Sequence, residues 1–170
     1  MKRIKKDVDR NLMISTSDGV YSDNNANRLS LNITWPSSNQ KKKAVAIGIN
    51  PSKANDSRSD KTITTLARFL DAYGFTELTM LNLFQSYSTS QSGIEKSSTT
   101  DFTQYKNVLD QSDAIIIVWG VNNSYSQEKK SVLKQLTNYK EKIYCISKNN
   151  SYPLHPARMS YDSLLEKYKF

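Results

Sequence analysis

The chain carries one cysteine and one histidine among 170 residues. A lone cysteine excludes an internal disulfide, and a single histidine beside it gives no protein-built zinc site. Cys145 lies inside an apolar run, where a small buried filler is expected ahead of a reactive thiol. Glycine is scarce, at five residues, and Gly48-x-Asn50 has too few glycines for a dinucleotide loop. No run approaches the roughly 18 apolar residues that span a bilayer. The basic start, Met1-Lys2-Arg3-Ile4-Lys5-Lys6, has no apolar segment behind it to act as a signal. The expectation is a cytoplasmic protein that uses no membrane, no metal and no organic cofactor.

Acidic residues are also in short supply, with 16 Asp and Glu against 24 Lys and Arg and a net charge of +8. That excess favours an anionic partner, DNA or a nucleotide, although a lysine-rich surface also serves plain solubility. Aromatic residues are plentiful, with ten Tyr, five Phe and two Trp, which sets the chain apart from disordered compositions.

Length and patterning predict a single domain over 1–170. It divides into a loosely held basic segment at 1–11, a small antiparallel β-flap at 12–36 packed at the edge of the main sheet, and an α/β core at 44–168. Asp18-Gly19 reads as a turn. The stretch from Leu29 to Trp35 alternates apolar and polar, the period of a half-buried strand, and stops at Pro36. Four apolar runs follow, at 44–49, 77–83, 113–119 and 142–147. Helical patterns separate them at 61–73, 101–111 and 125–139, and a last helix is predicted at 160–168. Asp60 suits the first helix's N-cap and Gly74 its C-terminal end. This alternation predicts a three-layer α/β/α fold with a central four-stranded parallel sheet.

Each apolar run ends in a small polar signature: Asn50-Pro51-Ser52, Asn82-Leu83-Phe84, Trp119-Gly120 and, after a short loop, His155-Pro156. In a parallel sheet all four fall on the carboxyl edge, where ligands of open α/β sheets bind. Pro51 biases Asn50 toward extended backbone and can aim it across that edge, yet Asn-Pro is also an ordinary turn. Asn82 offers a donor and an acceptor to a base edge, or else satisfies nearby backbone. Trp119 reads as a core indole or as a pocket wall. His155 can donate to a developing oxyanion, or simply cap a turn. Asp56 and Asp60 are candidates to orient a water, or turn and cap residues. Arg158 and Met159 are placed to touch phosphate and base. Lys41, Lys42 and Lys43 read first as a solvated loop.

Gly48-Ile49-Asn50-Pro51-Ser52, Asp60-x-Thr62, Asn82-Leu83-Phe84, Trp119-Gly120 and Pro153-x-His155-Pro156 together resemble the uncharacterised bacterial and phage domain-of-unknown-function family 1643. The likeness runs from about Leu29 to about Leu165. The same pattern is similar to the uracil-DNA glycosylase superfamily, where Gly-x-Asp/Asn-Pro positions the attacking water, a strand-terminal Asn reads the flipped base and a His stabilises the leaving oxygen. That resemblance implies a DNA glycosylase-like hydrolase. Asn50, His155 and Asp56 would be catalytic. Asn82, Phe84, Trp119, Gly48, Pro51 and Ser52 would bind the base, and Arg158, Met159 and Lys53 would contact DNA. Asn50 stands where the best-known members carry Asp, which implies weaker water activation. No Tyr follows Pro51 to exclude a thymine methyl, so uracil does not follow as the substrate. Two other functions fit the same residues: a non-catalytic nucleotide binder, as in phage–host conflict, and a hydrolase of free nucleosides or nucleotides.

Overall fold

A computed structural model describes residues 12–22, 27–37, 41–51, 61–87 and 99–170. The chain is α/β, built on one mixed sheet of seven strands in the order β1-β2-β4-β3-β5-β6-β7. The strands are β1 (Thr16–Tyr21), β2 (Arg28–Thr34), β3 (Lys42–Gly48), β4 (Phe75–Asn82), β5 (Ala114–Ile117), β6 (Ile143–Ser147) and β7 (Leu164–Lys167). β3 pairs in parallel with β4 and β5, and β5 with β6. β1 on β2, β2 on β4 and β7 on β6 are antiparallel.

Alternation along the central strands sends side chains to two cores. Ala44, Ala46, Leu78, Met80 and Ile116 face one way and pack with Leu31 and Ile33 of β2. Helix α1 (Lys61–Asp71) covers that face with Ile63, Leu66, Ala67 and Leu70. Val45, Ile47, Leu81, Ile115 and Ile117 face the other way. Helices α2 (Lys106–Gln111) and α3 (Ser126–Gln135) cover them through Leu109 and Val132.

Three local expectations change. Asp18-Gly19 makes no turn; both residues lie inside β1, opposite Asn32 and Leu31. The antiparallel flap expected at the edge of the sheet is present as β1 on β2, and it continues the main sheet because β2 pairs directly with β4. The predicted helix at 160–168 is instead strand β7. A helix that short is marginal on its own, whereas β6 has an open edge to pair. Ser147 Oγ donates to Glu166 Oε2 at 2.6 Å and Leu165 N–H donates to Tyr73 Oη at 3.0 Å, which fixes β7 there. The helix predicted at 101–111 starts as a 3-10 turn, Phe102–Tyr105, before α2. Lys142 donates to the carbonyls of Leu109 and Ser112, placing a cation at the negative end of α2. Gly74 does close α1, with φ +87°. The expected Asp60 cap lies outside the described residues.

The connections create the site. From β3 the chain passes through α1 to β4 on one side, then through α2 to β5 on the other side of β3. The chain thus leaves β3 and β5 toward opposite faces, which opens a crevice at their carboxyl ends.

Candidate functional site

Asn50, Asn82 and His155 line one cavity of about 120 Å³ in that crevice, together with Gly48, Thr62 and Arg28. Its apolar walls are Ile63 and Leu66 of α1, Met80 and Val118. The β3 and β4 exits are held in register beyond the strands: Leu83 N–H donates to Gly48 O and Phe84 N–H to Ile49 O, at 3.0 and 2.8 Å. Val118 N–H donates to Ile47 O at 3.0 Å and ties in the β5 exit.

Asn82 is 4 % exposed. Its carboxamide nitrogen donates to Asn50 O at 3.2 Å and to Leu81 O at 3.3 Å. The amide thus braces the β3 exit, and its oxygen is turned the other way as an acceptor. Gly48 is required beneath it. A Cβ there would sit 2.9 Å from the Asn82 amide terminus.

His155 caps a short 3-10 turn, Pro156–Arg158, and its Nδ1 accepts from Ala157 N–H at 3.2 Å. An accepting Nδ1 carries no proton, so the ring's proton lies on Nε2. Gly120 sits beside it at φ +84°, and a Cβ on Gly120 would lie 3.7 Å from His155 Cβ. That distance is ordinary contact, so the left-handed backbone, rather than crowding, calls for glycine.

His155 and Ile49 also line a broader cavity of about 660 Å³ with Trp119, Asn122, Lys148 and Arg158. Arg158 is exposed. Lys148 donates to Ser160 Oγ at 2.8 Å and pairs with Asp162 at 3.2 Å. Trp119 is 3 % exposed, with Tyr168 edge-on and Lys129 Nζ 5.9 Å from a ring centroid. Lys129 donates to the Asn122 carbonyl at 2.9 Å, and burial pulls its pKa below the usual lysine value.

Other expected site residues stand elsewhere. Phe84 is fully buried, edge-on to Tyr125 at 4.9 Å, in the core on the α2–α3 side, and lines neither cavity. A base cannot stack on it there. Met159 packs against the α1-side core. Pro51 is buried and lines neither of the two cavities. Ser52, Lys53 and Asp56 lie outside the described residues.

The model of a family described as "protein of unknown function (DUF1643)" matches residues 28–157. The chain belongs to this family. No curated protein and no solved structure matches it. In this DUF1643 chain the matched stretch holds every described residue of the smaller cavity. Among the described residues, no group of three or more His, Cys, Asp or Glu side chains is placed to hold a metal ion, and no helix is long and apolar enough to cross a membrane.

Sequence reasoning missed Arg28, which is 1 % exposed and lines the smaller cavity. It opens β2, in a stretch read as a flap, and nothing local distinguishes it from a surface arginine. Thr62 was seen only within Asp60-x-Thr62, and Lys148 only as loop. Pairing of β2 with β4 is what carries Arg28 to the site.

Proposed function

We propose that the smaller cavity holds a single flipped base and that this DUF1643 protein is a DNA glycosylase-like N-glycosidic hydrolase. One observation carries the reading: two asparagines and the sole histidine, far apart in sequence, line one cavity at the sheet's switch point. A cavity of about 150 Å³ accepts benzene; at about 120 Å³ this one is of the size of a single small ring and excludes anything larger without rearrangement. The likeness of Gly48-x-Asn50-Pro51, Asn82, Trp119-Gly120 and His155-Pro156 to the uracil-DNA glycosylase motifs supports the same reading.

The chemistry follows from the donors. The base sits between the aliphatic walls, in place of the aromatic platform expected from Phe84. Asn82 accepts from the base edge. As the C–N bond lengthens, its electron pair moves onto the base, and His155 Nε2–H donates to the oxygen that gains charge. One such donor contributes about 3 kcal/mol in comparable sites. Asn50 holds the water that attacks the sugar carbon, and the water's proton leaves to solvent. Arg158 and Lys148 meet the flanking phosphates along the wider groove. Flipping costs a few kcal/mol, which those contacts offset.

The test incubates the protein with duplexes carrying assorted modified bases and scores abasic sites by alkaline cleavage. Abasic sites that vanish with His155→Ala and with Asn50→Ala, while DNA binding persists, support hydrolysis. A specific observation favours a second reading. A carboxamide, Asn50, lines the cavity where an Asp would take a proton from water, which suits a binder that retains a base without cleaving it. Base-dependent binding without abasic sites would establish the binder. A rate indifferent to DNA length would point instead to free nucleosides or nucleotides.

A further inference from the structure

The sequence Asn-Asn-Ser-Tyr occurs twice, as Asn122-Asn123-Ser124-Tyr125 after β5 and as Asn149-Asn150-Ser151-Tyr152 after β6. β5 and β6 are parallel neighbours, so both copies leave the sheet at one edge. The first asparagine of each lines the broader cavity of about 660 Å³. Each is held in place. Lys129, 8 % exposed, spends both of its hydrogen bonds on Asn122, donating to the carbonyl at 2.9 Å and to Oδ1 at 3.2 Å. The amide nitrogen of Asn122 is then a donor without a partner among the described residues. Asn149 and Asn150 form a two-residue turn at φ +48° and +64°. Lys148 N–H donates to Ser151 O at 3.0 Å and Ser151 N–H to Lys148 O at 2.8 Å, which closes the turn. Positive φ at both central positions is a turn geometry that favours asparagine, and the Asn149 carboxamide too has no partner among the described residues. Leu154 and the 58 % exposed Val121 add apolar wall to the same cavity. Carboxamides pair with the edge of a base, and apolar side chains cover its face.

We propose that the broader cavity takes the nucleotide next to the flipped one, unstacked and unpaired, with its base edge read by Asn122 and Asn149, so that the ligand is single-stranded DNA. The proposal rests on the reading of the smaller cavity as a base site and adds strand state and sequence context to it. The two cavities share Ile49 and His155, so their occupants are neighbouring parts of one ligand. About 660 Å³ lies within the range of small-molecule sites and exceeds the needs of a lone ring. A duplex would have to break neighbouring base pairs to fill both cavities, whereas a single strand gives up only stacking.

Fluorescence anisotropy with the full chain, at one fixed salt concentration, compares a labelled mixed-sequence single strand with its duplex, and then single strands of dA, dC and dT alone. The single strand is expected to bind about tenfold or more tightly than the duplex, and the three homopolymers to differ by about fivefold or more. Asn122→Ala and Asn149→Gly should each narrow the spread among homopolymers. Glycine is chosen at 149 because it keeps the positive φ without strain. Asn123→Ala is the control: Asn123 is exposed and lines neither cavity, so it should match the unaltered chain. Equal affinity for duplex and single strand overturns the proposal and leaves the flipped-base reading standing. So does a spread that survives in both variants, or one that Asn123→Ala narrows as much as they do. Failure to bind DNA in either form overturns the proposal and the DNA reading of the smaller cavity together. Should Asn122→Ala fail to fold, Asn149→Gly decides alone.

Discussion

His155 and Gly48 are the residues on which the proposed chemistry and the site's geometry turn. On the proposed glycosidic mechanism, replacing His155 with Ala should lower turnover by about 100-fold or more. On that mechanism affinity for DNA should change little, since the phosphate contacts are assigned to Arg158 and Lys148; parallel turnover and binding assays check both. Gly48→Ala should be worse than a typical glycine-to-alanine change in a strand. Its Cβ would fall 2.9 Å from the Asn82 amide, and relieving such overpacking costs about 1–3 kcal/mol. A lower denaturation midpoint together with lost ligand binding is the expected pair of results. Cys145 behaves as the filler that its apolar context suggests. Burial, with Glu166 nearby, pushes its thiol up to about 11, so iodoacetamide at pH 8 should label the unfolded chain and spare the folded one. The unfolded thiol ionises near pH 8.5. Above that pH the unfolded state binds fewer protons than the folded state, so this thiol makes stability fall as the pH rises to about 11.

Among the elements, β7 departs most from its sequence signal. Leu164, Leu165 and Tyr168 recur at helical spacing, yet the open edge of β6 captures the segment as a strand. Leu165 is buried in the α1-side core. Leu165→Ala should therefore destabilise the protein by about 2–4 kcal/mol, read as a lower urea midpoint, whereas a solvent-facing helix would tolerate it. Helix α1 was legible because Ile63, Leu66, Ala67 and Leu70 fall on one face and Gly74 follows. Its own local pattern and its packing agree. Asp18-Gly19 was misleading because turn propensity is local, while opposite partners along six residues of β1 decide the outcome. Phe84 was placed at the site from its position after Asn82. A residue just past a strand end can face either side of the sheet, and here the α2–α3 core holds Phe84.

At the scale of the whole molecule, charge and topology act together. With a net charge of +8, nucleic-acid binding should weaken linearly on a logarithmic salt scale. Arg158→Ala should reduce that slope by about one if the wider groove follows the phosphates; filter binding at several salt concentrations measures it. The four central strands, the helices between them and the polar ends of those strands were readable from the chain alone, because buried parallel strands demand continuous apolar runs and helices demand a 3.6-residue period. Those local patterns already placed Asn50, Asn82 and His155 on one edge of the sheet. Only the tertiary structure brought Arg28 into the cavity, withdrew Phe84 from it, joined the flap to the main sheet and made the last segment a strand. Each of these depends on which strands pair across long separations and which face of the sheet a side chain meets, and a one-dimensional pattern does not encode either.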